Sequence, residues 1–171
     1  MLKPILVLCL GNEVLSDDAF GFKVASSLSD YKQNDDLVEI IFAPLAGFNL
    51  INLLQDRHFV LVVDAIVTGR QPPGTLHFFS EGQMTPSIGL TGSHQINLPT
   101  AMALGIQLGI NMPSNIDVIA AEAADVVTLD ENLTPALQAA ISPAKSQIIE
   151  WIEQKIVEIG ANGRRKQNSR A

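Results

Sequence analysis

The stretch Pro4-Ile-Leu-Val-Leu-Cys-Leu10, which Gly11-Asn12 ends, decides the fold. A short, continuous apolar run of this kind is typical of a strand buried on both faces, as in a parallel sheet. The polar loop that follows leads to Ser16, a good helix N-cap, and then to a helix that ends at about Asp30. The start of the chain therefore predicts a strand, a loop and a helix in succession.

The rest of the chain repeats this alternation of strands and helices. Further strands are predicted over residues 37–43, over 59–63 with Asp64 ending the strand, over 75–79 nearer a sheet edge, and over 117–121. Helices are predicted around residues 48–54, over 98–108, and from Thr134-Pro135 to Gly160, with Pro143 kinking or restarting the last one. The alternation predicts an α/β fold, a single three-layer domain whose twisted, mostly parallel sheet of about five strands has helices on both faces.

Length and charge restrict the class of protein. The chain has 171 residues, 18 acids and 11 bases, which suits one domain over residues 1–160. Four bases and no acid lie in the last eight residues, so residues 161–171 are expected to form a basic, disordered tail. The body is strongly acidic, which argues against nucleic acid as a partner.

Cysteine and hydropathy patterns restrict it further. The one cysteine, Cys9, excludes an internal disulfide and is expected to be a buried core residue. No apolar run approaches the roughly 18 residues of a membrane span, and the N-terminal apolar run leads into acids rather than into a signal-peptide cleavage site. We therefore expect a cytoplasmic protein with no membrane partner.

Polar side chains follow the predicted strands at the edge where parallel sheets bind ligands. Asp17 and Asp18 open the first helix, Asp64 follows a strand, and His94 lies in a loop just before a helix. Each has an ordinary structural interpretation: the aspartates as helix-dipole or capping residues, and the histidine as a solvated loop residue. His58 and His77 are expected to be structural or surface histidines.

Taken together, Asp18, Asp64 and His94 offer two carboxylates and one imidazole from three separate loops. Such a set suits a divalent transition metal with open coordination positions, and ligand type alone does not choose among Zn, Ni, Co and Mn. A phosphate site is disfavoured, because no phosphate-binding glycine motif is present and two aspartates would repel the anion. The sequence also lacks the G-x-S-x-G motif of a serine hydrolase.

The first loop also carries a family resemblance. The residues Gly11-Asn12, Asp17-Asp18 and Gly21 resemble the G-N-x-x-x-x-D-[DE]-x-x-G signature of the hydrogenase maturation proteases. The resemblance spans roughly residues 4–158. It continues through Val63-Asp64-Ala65, Gly69, Pro73-Gly74, Ser93-His94, the segment from Asn132 to Pro135, and Pro143.

The resemblance implies an endopeptidase that removes the C-terminal extension of the large-subunit precursor of a nickel–iron hydrogenase. It implies that Asp18, Asp64 and His94 contact nickel carried by the substrate, a site that another divalent metal can occupy in vitro. Asp18 and Asp64 are the catalytic candidates, as in an aspartyl protease if a carboxylate activates the water, and Asp17 is a poorer one. The metal-contacting acid is often Glu in the family, and the segment from Glu122 to Val127 lacks the glycine expected there.

Two other functions fit the residues. The first is a non-enzymatic metal- or nucleotide-binding module with a Rossmann-like sheet. The second is a general metallopeptidase that would cleave short unrelated peptides. We expect the maturation protease to need its folded, nickel-loaded partner and to be a monomer itself.

Overall fold

A computed structural model of the chain describes residues 2–31, 35–44, 49–80 and 98–168, with backbone alone over 162–168. Its elements alternate as the apolar runs predict. In chain order they are β1 (Ile5–Leu10), a 3-10 turn (Ser16–Ala19), α1 (Phe20–Ser27), β2 (Val38–Ala43), α2 (Asn49–Leu54), β3 (Phe59–Ile66), β4 (Leu76–Phe79), α3 (Leu98–Gln107), β5 (Ile116–Glu122) and α4 (Pro135–Asn168).

The five strands form one sheet in the order β2-β1-β3-β5-β4. All neighbouring strands are parallel except β4, which pairs antiparallel with β5 at the edge. Within the register, Leu10 lies beside Ala43 and Cys9 beside Val63, so the carboxyl ends of β1, β2 and β3 reach the same edge. The predicted mostly parallel sheet is confirmed, as is the edge position of the strand predicted near residues 75–79.

Helices cover both faces of the sheet. Alternate residues of β1 point to opposite faces, so Ile5 and Val7 pack with α1 and α4, whereas Leu6 and Leu8 pack with α2 and α3. Cys9 is fully buried on the α1/α4 face, as the sequence predicts. The result is the expected three-layer α/β domain.

Two local predictions near the carboxyl edge are wrong. Asp64 does not end its strand, because β3 continues to Ile66 and its backbone pairs with β5 as far as Glu122. Ser16 is not a helix N-cap, because it lies inside the 3-10 turn with a positive φ of 38°. Its backbone N–H instead donates to the carbonyl of Asp130, which joins the turn to a loop late in the chain.

The last helix, α4, is longer than the sequence predicts. It contains Pro143 and continues past Gly160, so the expected end at Gly160 is wrong and the expected tail is helical as far as Asn168. Pro143 and Ala139, whose carbonyl the proline leaves without its usual donor, are both exposed, so water can hydrate that carbonyl. Over the described residues, no helix is long and apolar enough to cross a membrane.

Candidate functional site

The loop after β1 folds back on itself and fixes Asp18 against the strand end. The N–H of Asn12 donates to the carbonyl of Asp18 at 3.1 Å, and the N–H of Asp18 donates to the carbonyl of Leu15 at 2.8 Å. Gly11 has a φ of 135°, and a Cβ there would lie 2.0 Å from the Asp18 carbonyl oxygen. The glycine of the Gly11-Asn12 pair is therefore required for this close approach.

Asp17, next in sequence to Asp18, has a structural role. Its buried carboxylate accepts hydrogen bonds from the N–H groups of Ala124, Asp125 and Thr134 at 2.8, 3.1 and 2.8 Å. The hydroxyl of Thr134 donates to it as well, at 3.1 Å. Asp17 thus joins the 3-10 turn to the loop after β5 and to the start of α4, and its carboxylate is fully occupied there.

Asp18 and Asp64 lie close together at the carboxyl edge, and both are about 5% exposed. Burial raises the pKa of Asp64 to about 8, against the opposite effect of a 2.8 Å hydrogen bond from the N–H of Ala65, and the charge of Asp18 raises it further. Two carboxylates in one dry site repel each other, and a cation relieves that repulsion. The predicted pairing of these two acids is confirmed.

Cys9 is part of this surrounding. Burial, together with the nearby charge of Asp64, raises the pKa of the Cys9 thiol to about 12. A thiol is a nucleophile only as the thiolate, so Cys9 is an inert core residue.

The third residue of the predicted metal set, His94, lies outside the described residues. The structure therefore brings together two of the three predicted ligands, Asp18 and Asp64, and leaves the third as a prediction. Among the residues that the structure describes, no group of three or more His, Cys, Asp or Glu side chains could hold a metal ion.

Sequence reasoning missed a second buried carboxylate at this edge. Glu122 is 1% exposed, and its carboxylate accepts hydrogen bonds from Thr68, Gly69 and His77. Burial alone would raise the pKa of Glu122, but these hydrogen bonds outweigh it and hold the pKa below its usual value. The signal was present, because Glu122 ends an apolar strand as Asp64 follows one.

The comparisons with known proteins agree with this architecture. The family model of the hydrogenase maturation proteases matches residues 22–151. The Hydrogenase 2 maturation protease of Escherichia coli strain K12 is 26% identical over 156 residues, which cover 90% of this chain and 93% of that protein. A hydrogenase expression/formation protein, HupD, of Thiocapsa roseopersicina is 25% identical, over 96% of this chain and 73% of that protein.

A solved structure gives the same fold. The structure of the hydrogenase maturating endopeptidase HybD from E. coli superposes with a TM-score of 0.74 at 24% identity, and the match covers 90% of this chain and 94% of that chain. The family match extends over most of the described domain, and it sets aside the non-enzymatic binding module. The chain belongs to the hydrogenase maturation protease family and is an endopeptidase.

Proposed function

We propose that this endopeptidase removes the C-terminal extension from the large-subunit precursor of a nickel–iron hydrogenase after nickel has been inserted. Asp18, Asp64 and His94 recognise the nickel, which belongs to the substrate. Recognition of the metal tells the protease that the precursor is ready to be cut. The pair of buried carboxylates at the carboxyl edge of the sheet carries this proposal.

The physical support is the cost of burying two acids together. An isolated buried carboxylate is unfavourable, and a second one nearby adds repulsion. Folding places Asp18 and Asp64 in this position although both lie on loop or strand ends where exposed positions are available. Such an arrangement is understandable when the site receives a cation, because a divalent ion offsets both charges.

The substrate's metal also explains how the chain could discriminate. Oxygen and imidazole ligands suit a divalent transition metal such as nickel. A precursor without nickel would bring no positive charge to the two carboxylates, and its docking would leave them uncompensated. The loaded precursor is therefore favoured by charge, and the protease acts after metal insertion rather than before it.

Hydrolysis needs an activated water next to the scissile carbonyl. Asp64 and Asp18 are the carboxylates in reach of the metal-binding edge, and either can accept a proton from that water. Asp17 is excluded from this role, because its carboxylate already accepts four hydrogen bonds from backbone and hydroxyl groups.

The test uses purified precursor of a large subunit with and without nickel. Mass spectrometry measures loss of the C-terminal extension after incubation with the full chain. We expect cleavage of the loaded precursor only, and its loss in Asp18→Asn and Asp64→Asn. Glu13→Gln, an exposed acid on the same loop, is the matched control and should cleave normally.

Two results would count against the proposal. Equal cleavage of nickel-free precursor would remove the nickel-sensing role, and absence of cleavage of the loaded precursor would remove the assigned substrate. Cleavage of short unrelated peptides would instead favour a general metallopeptidase. The cytoplasmic location and the monomeric state stay predictions.

A further inference from the structure

Three residues form a row across the sheet on the face that carries α2 and α3. Asp64 in β3 lies opposite Ala120 in β5, and His77 in β4 lies opposite the same Ala120. Residues directly opposite each other in a sheet point to the same face. Strands lie about 4.8 Å apart, so the Cα atoms of Asp64 and His77 are separated by about 10 Å. The small methyl group of Ala120 stands between them.

Glu122 holds the imidazole of His77 in this row. It follows Ala120 by two positions and therefore shares its face. Its Oε2 atom lies 3.1 Å from Nε2 of His77, and the ring of His77 stacks on Phe79 with centroids 5.8 Å apart. The histidine is thus fixed on both sides, by a carboxylate and by an aromatic ring.

The contacts of Glu122 set the hydrogen-bonding character of His77. Oε1 of Glu122 accepts the N–H groups of Thr68 and Gly69, both at 2.8 Å, and Oε2 accepts the hydroxyl of Thr68 at 2.7 Å. A carboxylate with so many donors is an acceptor toward the imidazole too, so Nε2 carries a proton. In the neutral imidazole the other nitrogen, Nδ1, is then an acceptor.

The turn at Thr68 and Gly69 does not need the histidine. Glu122 already holds that turn through three hydrogen bonds, and His77 adds a group whose second nitrogen takes no part in them. The side chain of His77 is 19% exposed, whereas that of Glu122 is 2% exposed. A partly accessible imidazole, oriented from behind by a buried carboxylate, is the arrangement found where histidine meets a ligand.

We propose that His77 is a substrate-binding residue of this endopeptidase and that its Nδ1 accepts a hydrogen bond from a backbone N–H of the polypeptide lying over Ala120. This inference rests on the proposed function, since it takes the loaded precursor as the polypeptide. Glu122 is the positioning residue, because it acts through the imidazole. The acidic row would then contact the substrate at two points, with Asp64 near the metal and His77 farther along the chain.

The test compares cleavage kinetics of nickel-loaded precursor by His77→Phe, His77→Gln and the wild-type chain. Phenylalanine keeps a ring that can stack on Phe79 and removes the acceptor. Glutamine keeps a donor for Glu122 and an acceptor for the substrate. We expect His77→Phe to raise KM about tenfold with a smaller change in kcat, as for one lost hydrogen bond, and His77→Gln to restore most of the affinity. His58→Phe, an exposed histidine at the opposite edge of the sheet, is the matched control.

Glu122→Gln supplies an independent arm. The amide nitrogen would donate to Nε2 and move the imidazole proton to Nδ1, so the acceptor becomes a donor. We expect the KM of Glu122→Gln to rise as in His77→Phe, although the imidazole itself is intact. A structural role alone would alter the thermal midpoint without this selective change in KM.

The outcomes separate the two proposals. Cleavage of loaded precursor by the wild-type chain together with an unchanged KM in His77→Phe would overturn the role of His77 and leave the proposed function in place. If the wild-type chain neither binds nor cleaves the loaded precursor, the proposed function fails and this inference fails with it. Should His77→Phe not fold, the KM of His77→Gln relative to Glu122→Gln decides: equal tenfold increases in both would overturn the acceptor role.

Discussion

The carboxylate of Asp17 accepts both the backbone N–H and the hydroxyl of Thr134, at 2.8 and 3.1 Å, across 117 residues of sequence. The same carboxylate accepts two further N–H groups from the loop after β5. One buried side chain therefore fixes the 3-10 turn that carries Asp18 to the loop and helix on the other side of the site.

Removing this carboxylate should destabilise the fold. Asp17→Ala leaves three backbone donors without their acceptor, so we expect a loss of about 3 kcal/mol in the free energy of unfolding. Asp17→Asn keeps one acceptor oxygen and should lose about half as much. Urea denaturation measures both, with Glu13→Ala as the exposed control. An Asp17→Ala midpoint equal to that of the control would show that the network contributes nothing.

The pH dependence of stability should report the buried state of Asp64. Burial first, and then the charge of Asp18, raise the pKa of Asp64 to about 8 in the folded chain. A raised acid pKa means that the folded state binds the proton more tightly, so its contribution is complete below the unfolded pKa of about 4 and is lost as pH rises toward 8.

We therefore expect the wild-type free energy of unfolding to fall between about pH 4 and about pH 8, by at most about 1.4 kcal/mol per pH unit for this one proton. Asp64→Asn, which does not titrate, should lose that slope and become more stable than the wild type at alkaline pH. Urea midpoints across this range measure the effect. Parallel pH profiles for the two proteins would contradict the burial argument.

The fold follows from local sequence patterns to a large extent. The apolar run that ends at Gly11 predicts β1, and the alternation of such runs with helical stripes predicts the sheet and its two helical layers. The acids at strand ends predict the pairing of Asp18 with Asp64, because carboxyl ends of parallel strands meet at one edge.

The remaining features depend on contacts distant in sequence. Nothing local distinguishes Asp17 from Asp18, since the partners of Asp17 lie more than 100 residues away. The pairing of His77 with Glu122 depends on the antiparallel register of β4, which no local pattern specifies. The extension of α4 past Gly160 has a related cause: Ile156 and Ile159 pack against the core, and this burial overrides a local stop signal.

Acid should weaken the turn that Glu122 holds. Its pKa lies below the usual value because the hydrogen bonds from Thr68, Gly69 and His77 outweigh the effect of burial. The stabilisation is present above the unfolded pKa of about 4.3 and is lost as pH falls through the lower folded pKa. The stability difference between wild type and Glu122→Gln should therefore shrink from about pH 7 to about pH 3.5. A difference that stays constant over this range of urea midpoints would be incompatible with the network.

Close packing of α1 on the end of β1 should make Gly21 intolerant of any side chain. A Cβ at Gly21 would lie 2.0 Å from the carbonyl oxygen of Leu10 and 3.0 Å from its backbone nitrogen, atoms that belong to a central strand and do not give way. We expect Gly21→Ala to lower the free energy of unfolding by about 3 kcal/mol. Gly160, which has no atom within 4 Å of a built Cβ and lies inside α4, is the matched control. There alanine should raise the stability by about 0.5–1 kcal/mol, because glycine is costly in a helix. Urea denaturation of the two variants distinguishes a steric requirement at the strand end from a general effect of glycine replacement, since similar shifts in both would rule the steric requirement out.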